Sequence, residues 1–182
     1  LWGNFESKEE LKKFGILALI FCGIIAIYWA LRPMKDSIFN ALVGTEDWQP
    51  YAKTLSLIVI FPIVILYSKL VDIIPRHKVF YFLTGVYGLI ALDMYFCFSD
   101  PSIGLANTVK SPYRILGWVW YIWVESFGSL MVALFWAIVT DITAPESAKR
   151  GFPLIALFGQ VGNMVGPYFL NAKALGFSNS AP

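Results

Sequence analysis

Long apolar runs separated by short polar connections are the feature that most constrains this chain. A helix of about 20 residues crosses the ~30 Å hydrocarbon core of a bilayer. Lipid offers the backbone no hydrogen-bond partners, so only helices and closed barrels span it. The runs therefore predict an all-α, polytopic membrane helical bundle of about five transmembrane helices. The predicted spans are 14–43, 50–70, 79–98, 113–141 and 151–170.

The composition supports a membrane protein and gives no indication of other common classes. Charged residues make up 14% of the 182 residues and apolar residues 58%, whereas soluble domains carry roughly 25% charged residues. The formal net charge of +2 does not favour nucleic acid as a partner. No metal-ligand cluster, catalytic residue or phosphate-cradling loop is recognisable, so we expect no metal, no cofactor and no enzymatic activity. Cys22 and Cys97 lie inside apolar runs and are interpreted as packing residues.

The sequence also supports predictions for the two ends of the chain. Residues 4–13 are interpreted as a short amphipathic helix or the cytosolic foot of the first span, with a capping box formed by Ser7 and Glu10. Acidic residues at the N-terminus do not fit a signal peptide. Because the sequence opens on Leu1, we expect a piece of a longer protein. The polar tail NAKALGFSNSAP gives no indication of a sixth span.

The distribution of lysine and arginine predicts the orientation in the membrane, because cytoplasmic loops carry an excess of these residues. With the N-terminus in the cytoplasm, and with Arg32 and Lys35 counted as intramembrane, the cytoplasmic side holds eight and the other side four, which favours this orientation. The inner set is Lys8, Lys12, Lys13, Lys69, Arg76, Lys78, Lys149 and Arg150, and the outer set is Lys53, Lys110, Arg114 and Lys173.

A charged stripe lies within the first span. Arg32, Lys35 and Asp36 are spaced to share one helix face, and Tyr28 and Phe39 extend it. Charged groups inside a span cost at least ~2.5–3.5 kcal/mol each on insertion scales, so they usually face a cavity or a partner. A net-positive stripe with an aromatic neighbour fits an anionic, ring-bearing ligand. The alternative is that these residues mark the interfacial end of the helix.

Glu125 lies in the middle of the fourth span and shares a helix face with Tyr121. We interpret the carboxylate as a ligand contact, a gate or a proton-coupling site. The alternative is a structural carboxylate bonded to a neighbouring helix. Asp93, in the third span, is compatible with either interpretation.

Two basic hinges follow the second and fourth spans, in DIIPRHK (72–78) and APESAKR (144–150). The first places an acidic residue at the end of one helix and a basic cluster at the start of the next. This order resembles the cytoplasmic loop motif of major facilitator transporters, and the second hinge has a comparable order. The resemblance implies a gating or hinge role for Asp72, Arg76, Lys78, Asp141, Lys149 and Arg150.

A narrower resemblance rests on four segments in order: LRPMKD (31–36), LYSKL (66–70), VESFGS (124–129) and SAKRGFPL (147–154). They are similar to motifs in the N-terminal half of the ATP/ADP translocases of plastids and intracellular bacteria, which are major facilitator-like. The resemblance implies ATP/ADP exchange by alternating access, in a bacterial inner membrane or plastid envelope. It implies that Lys35 is important for nucleotide transport, with Arg32, Asp36 and Glu125 beside it. The missing C-terminal half would be the chain's partner.

Two other functions are compatible with the same residues. One is a general facilitator that moves another small solute with protons, in which Glu125 or Asp93 carries the proton. The other is a non-transporting membrane scaffold, in which Lys35 and Glu125 have a structural role.

Overall fold

A computed structural model of the chain describes residues 5, 7–44 and 47–169. Within these residues it contains five α-helices and no strand, which confirms the all-α prediction. The helices are α1 (Lys8–Leu42), α2 (Gln49–Ile73), α3 (Arg76–Ser99), α4 (Ile115–Asp141) and α5 (Pro145–Phe169). The polar tail, for which no sixth span is predicted, lies outside the described residues.

Four of the helices, α1 to α4, are long and apolar enough to cross a membrane. The shortest of them has 24 residues, or about 36 Å at 1.5 Å per residue, which exceeds the ~30 Å core. The chain is therefore a multi-pass integral membrane protein. The helix α5 has 25 residues but includes Pro153 and Pro167, together with Gln160 and Asn163. It falls outside this apolar set, so its membrane crossing stays a prediction.

The first helix is a single element of 35 residues. Its start is capped by Ser7, whose hydroxyl oxygen accepts a hydrogen bond from the backbone N–H of Glu10 at 3.1 Å. This is one half of the capping box predicted from the sequence. The helix continues past Pro33, and at about 52 Å it is longer than the hydrocarbon core. Residues 8–13 therefore form the first turns of α1 and not a separate helix.

The chain divides into two compact units, Leu1–Leu31 with Val132–Pro182, and Arg32–Met131. In the first unit, glycines of α5 lie directly against α1. A Cβ atom at Gly159 would meet the ring of Phe21, and one at Gly162 would meet the carbonyl of Cys22. Phe21 also stacks on Phe135, with 4.8 Å between the ring centroids. Glycine is required here because any side chain would separate the two helices.

The second unit is organised around α4, which is the most buried of the four apolar helices. Its hydrophobic core consists of Phe39, Leu42, Val43, Ala52 and Tyr121. Packing between α3 and α4 adds a hydrogen bond from the hydroxyl of Tyr87 to that of Ser126, at 2.9 Å. In contrast, α2 and α3 expose many large apolar side chains, as helices in contact with lipid do.

The close α1–α5 contact predicts that a single methyl group at Gly162 destabilises the first unit. Gly162→Ala should lower the free energy of unfolding by about 1–3 kcal/mol, because the new Cβ atom would collide with backbone of α1. Thermal unfolding of the purified protein in detergent measures the change. Gly88→Ala is the matched control, because nothing lies near the Cβ position of that helical glycine. Equal stability of both variants would contradict the tight contact.

Candidate functional site

The second unit brings Lys35 of α1 and Glu125 of α4 into direct contact. The Lys35 ammonium donates a hydrogen bond to the Glu125 carboxylate and forms an ion pair with it. Lys35 is only 4% exposed. Its ammonium nitrogen lies 3.9 Å from a carboxylate oxygen of Asp36. A buried charge is expensive unless it is paired and hydrogen-bonded, so the two carboxylates make this position tenable for a lysine.

Aromatic side chains pack beside the ammonium of Lys35. The ammonium nitrogen of Lys35 lies 4.2 Å from the centroid of the Tyr121 ring, within the range of a cation–π interaction. Tyr121 is fully buried, and its ring meets Phe39 edge-on at 5.3 Å. Trp118 contacts the other side of Phe39 at 5.2 Å. The cation therefore has an ion pair on one side and a π-face on another.

Asp36 is held by a residue that no sequence motif singled out. The amide nitrogen of Gln49, the first residue of α2, donates a hydrogen bond to Asp36 at 3.1 Å. The only indication of this role in the sequence is that Gln49 is a polar residue at the start of an apolar span. We call Lys35, Asp36, Gln49, Tyr121 and Glu125 the charged cluster. It contains one cation and two carboxylates.

Four of the six predicted ligand-binding residues belong to this cluster: Lys35, Asp36, Tyr121 and Glu125. Arg32 belongs to the same unit and is exposed. Tyr28 belongs to the other unit, where its ring contacts that of Trp29 at 6.1 Å. Arg32, Lys35 and Asp36 together have a net charge of +1. With Glu125 included, there are two cations and two carboxylates, and the net charge is zero. That these residues bind a substrate stays a prediction.

The predicted hinge residues occupy the helix ends. Asp72 lies in the last turn of α2, and Arg76 and Lys78 lie in the first turn of α3. In the second hinge, Asp141 ends α4, whereas Lys149 is exposed near the start of α5.

Arg150 makes an ion pair that was not predicted from the resemblance to facilitator loop motifs. Its guanidinium lies 3.0 Å from the carboxylate of Glu10 on α1, and both side chains are largely buried. Nearby, the ammonium of Lys13 donates to the carbonyl of Ile142, just after α4. These contacts tie the start of α1 to the α4–α5 connection within the first unit. A gating role for any of the hinge residues stays a prediction.

Comparison with known proteins places the chain in a family. The family model described as TLC ATP/ADP transporter matches residues 2–99, which is more than half of the chain. The chain belongs to this family. The resemblance found in the sequence is thereby confirmed at the level of the family.

The curated relatives of this TLC-family chain include two Rickettsia proteins. ADP,ATP carrier protein 4 of Rickettsia typhi is 27% identical over 182 residues, covering 90% of this chain and 36% of the relative. ADP,ATP carrier protein 1 of Rickettsia prowazekii is 31% identical over 193 residues, covering 92% and 38%. The chain therefore spans little more than a third of the length of these relatives. No solved structure matches it.

A second polar feature of the TLC-family chain is the ordered connection between α3 and α4. Arg114 donates hydrogen bonds to four backbone carbonyls of this loop, those of Asn107, Val109, Ile103 and Gly104, at 2.6–3.0 Å. From the sequence these residues are expected only to connect the third and fourth predicted spans. A planar guanidinium has five donors and can bond several carbonyls at once. Arg114 therefore stabilises the loop through its backbone, and none of these four bonds involves a carboxylate.

The other end of the loop is fixed by Asp100, which follows α3. The Asp100 carboxylate accepts hydrogen bonds from the hydroxyl of Ser102 at 2.6 Å and the backbone N–H of Ser102 at 2.7 Å. These bonds hold the pKa of Asp100 below its usual value, because they stabilise the ionised carboxylate. The loop and the first turn of α4 line a cavity of about 480 Å³. None of its lining residues belongs to the charged cluster.

The Lys35–Glu125 pair predicts strong thermodynamic coupling between the two residues. Lys35→Met and Glu125→Met should each lower the free energy of unfolding, because each leaves the partner charge uncompensated. The double variant should lose less than the sum of the two, by about 0.5–3 kcal/mol. Unfolding of the purified protein in detergent measures this double-mutant cycle. Strict additivity of the two changes would contradict the ion pair.

The Arg114 contacts predict that this one side chain keeps the α3–α4 loop ordered. Arg114→Ala should increase proteolytic cleavage and amide hydrogen exchange in residues 100–114, because four carbonyls lose their donors. Lys110→Ala, which removes an exposed cation from the same loop, is the matched control. Equal protection of the loop in both variants would show that Arg114 is dispensable.

Proposed function

We propose that the chain forms part of a carrier that moves ATP and ADP across a membrane, in exchange for one another and by alternating access. The observation that carries this proposal is the buried ammonium of Lys35, paired with Glu125 inside an apolar helix bundle. Ionisable residues inside membrane spans are costly, and they commonly mark substrate or ion pathways. Membership of the TLC family and similarity to proteins named as ADP,ATP carriers support the same function.

Lys35 is proposed to bind a phosphate group of the nucleotide. An ammonium offers three donors and a compact positive charge, which suits phosphate oxygens. Glu125 and Asp36 would orient the lysine between binding events, and the Tyr121 ring would support it from the side. Arg32, one turn earlier on α1, would provide a second cation for the polyphosphate. A nucleotide with several negative charges needs more cations than this chain supplies.

The remaining cations would come from the part of the carrier that this chain does not include. The relatives are nearly three times as long as the region they share with it. In many membrane transporters two halves face each other, and the substrate binds near the middle of the membrane between them. The C-terminal half is thus the proposed partner, and the predicted hinge residues are proposed to control access from the cytoplasmic side.

The proposed orientation has the N-terminus in the cytoplasm. The lysine and arginine excess in the connections 72–78 and 144–150 supports it. Similarity to Rickettsia carriers favours a bacterial inner membrane over a plastid envelope.

The function is tested by uptake of labelled ATP into liposomes that contain the full-length carrier. Wild type should take up ATP in competition with ADP. Lys35→Ala should lower kcat/KM by about 10- to 100-fold, because a charge-assisted hydrogen bond to phosphate is worth roughly 1.5–3 kcal/mol. Lys53→Ala, which removes an exposed lysine of α2, is the control and should transport normally.

Two results would argue against this function. A well-folded full-length protein that takes up no ATP would favour proton-coupled transport of another small solute. ATP uptake that is insensitive to Lys35→Ala would exclude Lys35 from the phosphate site.

A further inference from the structure

The α3–α4 loop, residues 100–114, and the start of α4 expose several large apolar side chains. Val109 is 69% exposed and Tyr113 is 89% exposed. Ile115, the first residue of α4, is 72% exposed. Ile103 and Leu105 are exposed as well. Apolar patches of this kind mark surfaces that contact another protein or a membrane, so the loop requires a partner that accepts apolar groups.

The cavity beside the loop has the same apolar character. Its volume of about 480 Å³ is in the range of sites that hold small organic ligands. Apolar cavities exclude water, so a hydrocarbon chain is a better occupant of this one than solvent. Five of its nine lining residues carry apolar or aromatic side chains: Ile103, Val109, Tyr113, Ile115 and Leu116.

The backbone of the loop is hydrogen-bonded largely from within the chain. Arg114 donates to four of its carbonyls. The Asp100 carboxylate accepts from the backbone N–H groups of Ser102 and Ile103. Backbone polar groups can enter apolar surroundings only when they are bonded internally, and this loop meets that condition. Further backbone N–H groups with acceptors in the chain are those of Gly104, Leu105, Asn107, Val109, Ser111 and Tyr113.

The helix ends beside the loop present a surface of the same kind. In the last two turns of α3, Tyr95 and Phe96 are exposed. In the first turns of α4, Ile115 and Val119 are exposed. Tyrosine is enriched where a membrane meets water, since its ring is apolar and its hydroxyl is polar. The apolar surface of the loop is therefore continuous with helix faces of the kind that contact lipid.

We propose that the α3–α4 loop binds phospholipid. Val109, Tyr113 and Ile115 enter the membrane leaflet at this end of α3 and α4, and acyl chains fill the cavity that these residues line. Arg114 is a positioning residue, because its bonds to four carbonyls make the backbone compatible with lipid. The inference goes beyond the proposed function and does not depend on the substrate. It requires only that α3 and α4 cross a membrane.

The hydrogen bonds of the loop favour lipid over a further segment of the carrier as this partner. A protein segment could itself bond the backbone groups of the loop, whereas acyl chains offer neither donors nor acceptors. Internal bonding of the loop is thus a requirement of a lipid environment and not of a protein contact.

The experiment measures the environment of a nitroxide spin label in the full-length carrier, in liposomes of phosphatidylethanolamine and phosphatidylglycerol. Single labels are introduced by Val109→Cys, Tyr113→Cys and Ile115→Cys, after the native cysteines are replaced by serine. Oxygen concentrates in lipid and a nickel chelate in water, so the ratio of their relaxation effects reports the surroundings of each label. A spin-labelled phospholipid in the same vesicles is the lipid reference. Lys8→Cys, at the exposed start of α1, is the aqueous reference.

The loop labels should give the lipid signature, with a larger effect of oxygen than of the nickel chelate. The proposal requires this signature at two or more of the three positions, so it does not depend on the folding of any one variant. Dominance of the nickel chelate, as at Lys8, would overturn the proposal and leave the loop in water. Protection from both reagents would also overturn it, because another part of the carrier would then cover the loop. Uptake of ATP tests the proposed function separately, and its outcome is independent of these results.

The positioning role of Arg114 is tested in the same assay. Added to Tyr113→Cys, Arg114→Ala should shift the label from the lipid signature toward the aqueous one, because carbonyls without donors disfavour lipid. Lys110→Ala removes an exposed cation from the same loop and should leave the label in lipid. A lipid signature retained in both variants would overturn the role assigned to Arg114.

Discussion

The ion pair between Lys35 and Glu125 is the interaction on which the second unit depends. A lysine that is almost fully buried needs a counter-charge, and Glu125 is placed to provide it. The next contact along the same two helices joins Phe39 to Tyr121, one turn from each member of the pair. A shift of one residue between α1 and α4 would break both contacts, so together they fix the register of the two helices.

The two units achieve close packing by different physical means. In the first, glycines of α5 allow its backbone to approach that of α1, as at Gly162 and Gly166. In the second, large aromatic rings fill the space between α3 and α4, as at Tyr87, Trp123 and Phe127. Helices in lipid gain little from apolar burial alone, so close van der Waals contact and interhelical hydrogen bonds replace the hydrophobic effect as the source of their association.

The sequence was sufficient for the fold class because hydrophobic length alone separates membrane helices from other elements. It also identified Lys35 and Glu125, since a charge within an apolar span is conspicuous. It could not pair them, because 90 positions separate the two residues and helical periodicity gives a face but not its neighbour. Gln49 was missed because it lies at a helix end, where polar residues are common, and Glu10 was predicted as a capping residue but not as the partner of Arg150. Arg114 was counted only as an outer cation, because its partners are backbone carbonyls, which leave no side-chain pattern.

Each of the two interhelical ion pairs described above lies within a single unit. Lys35 and Glu125 belong to the second unit and join α1 to α4, whereas Glu10 and Arg150 belong to the first and join α1 to α5. The two pairs differ in burial: Glu10 and Arg150 are 12% and 21% exposed, whereas Lys35 is 5% exposed and Glu125 is 29% exposed. The cost of removing charge from water is therefore shared between the partners in the first unit and falls mainly on the lysine in the second. Removal of Glu125 should consequently cost the second unit more stability than removal of Lys35, because it leaves the more buried charge without its closest partner.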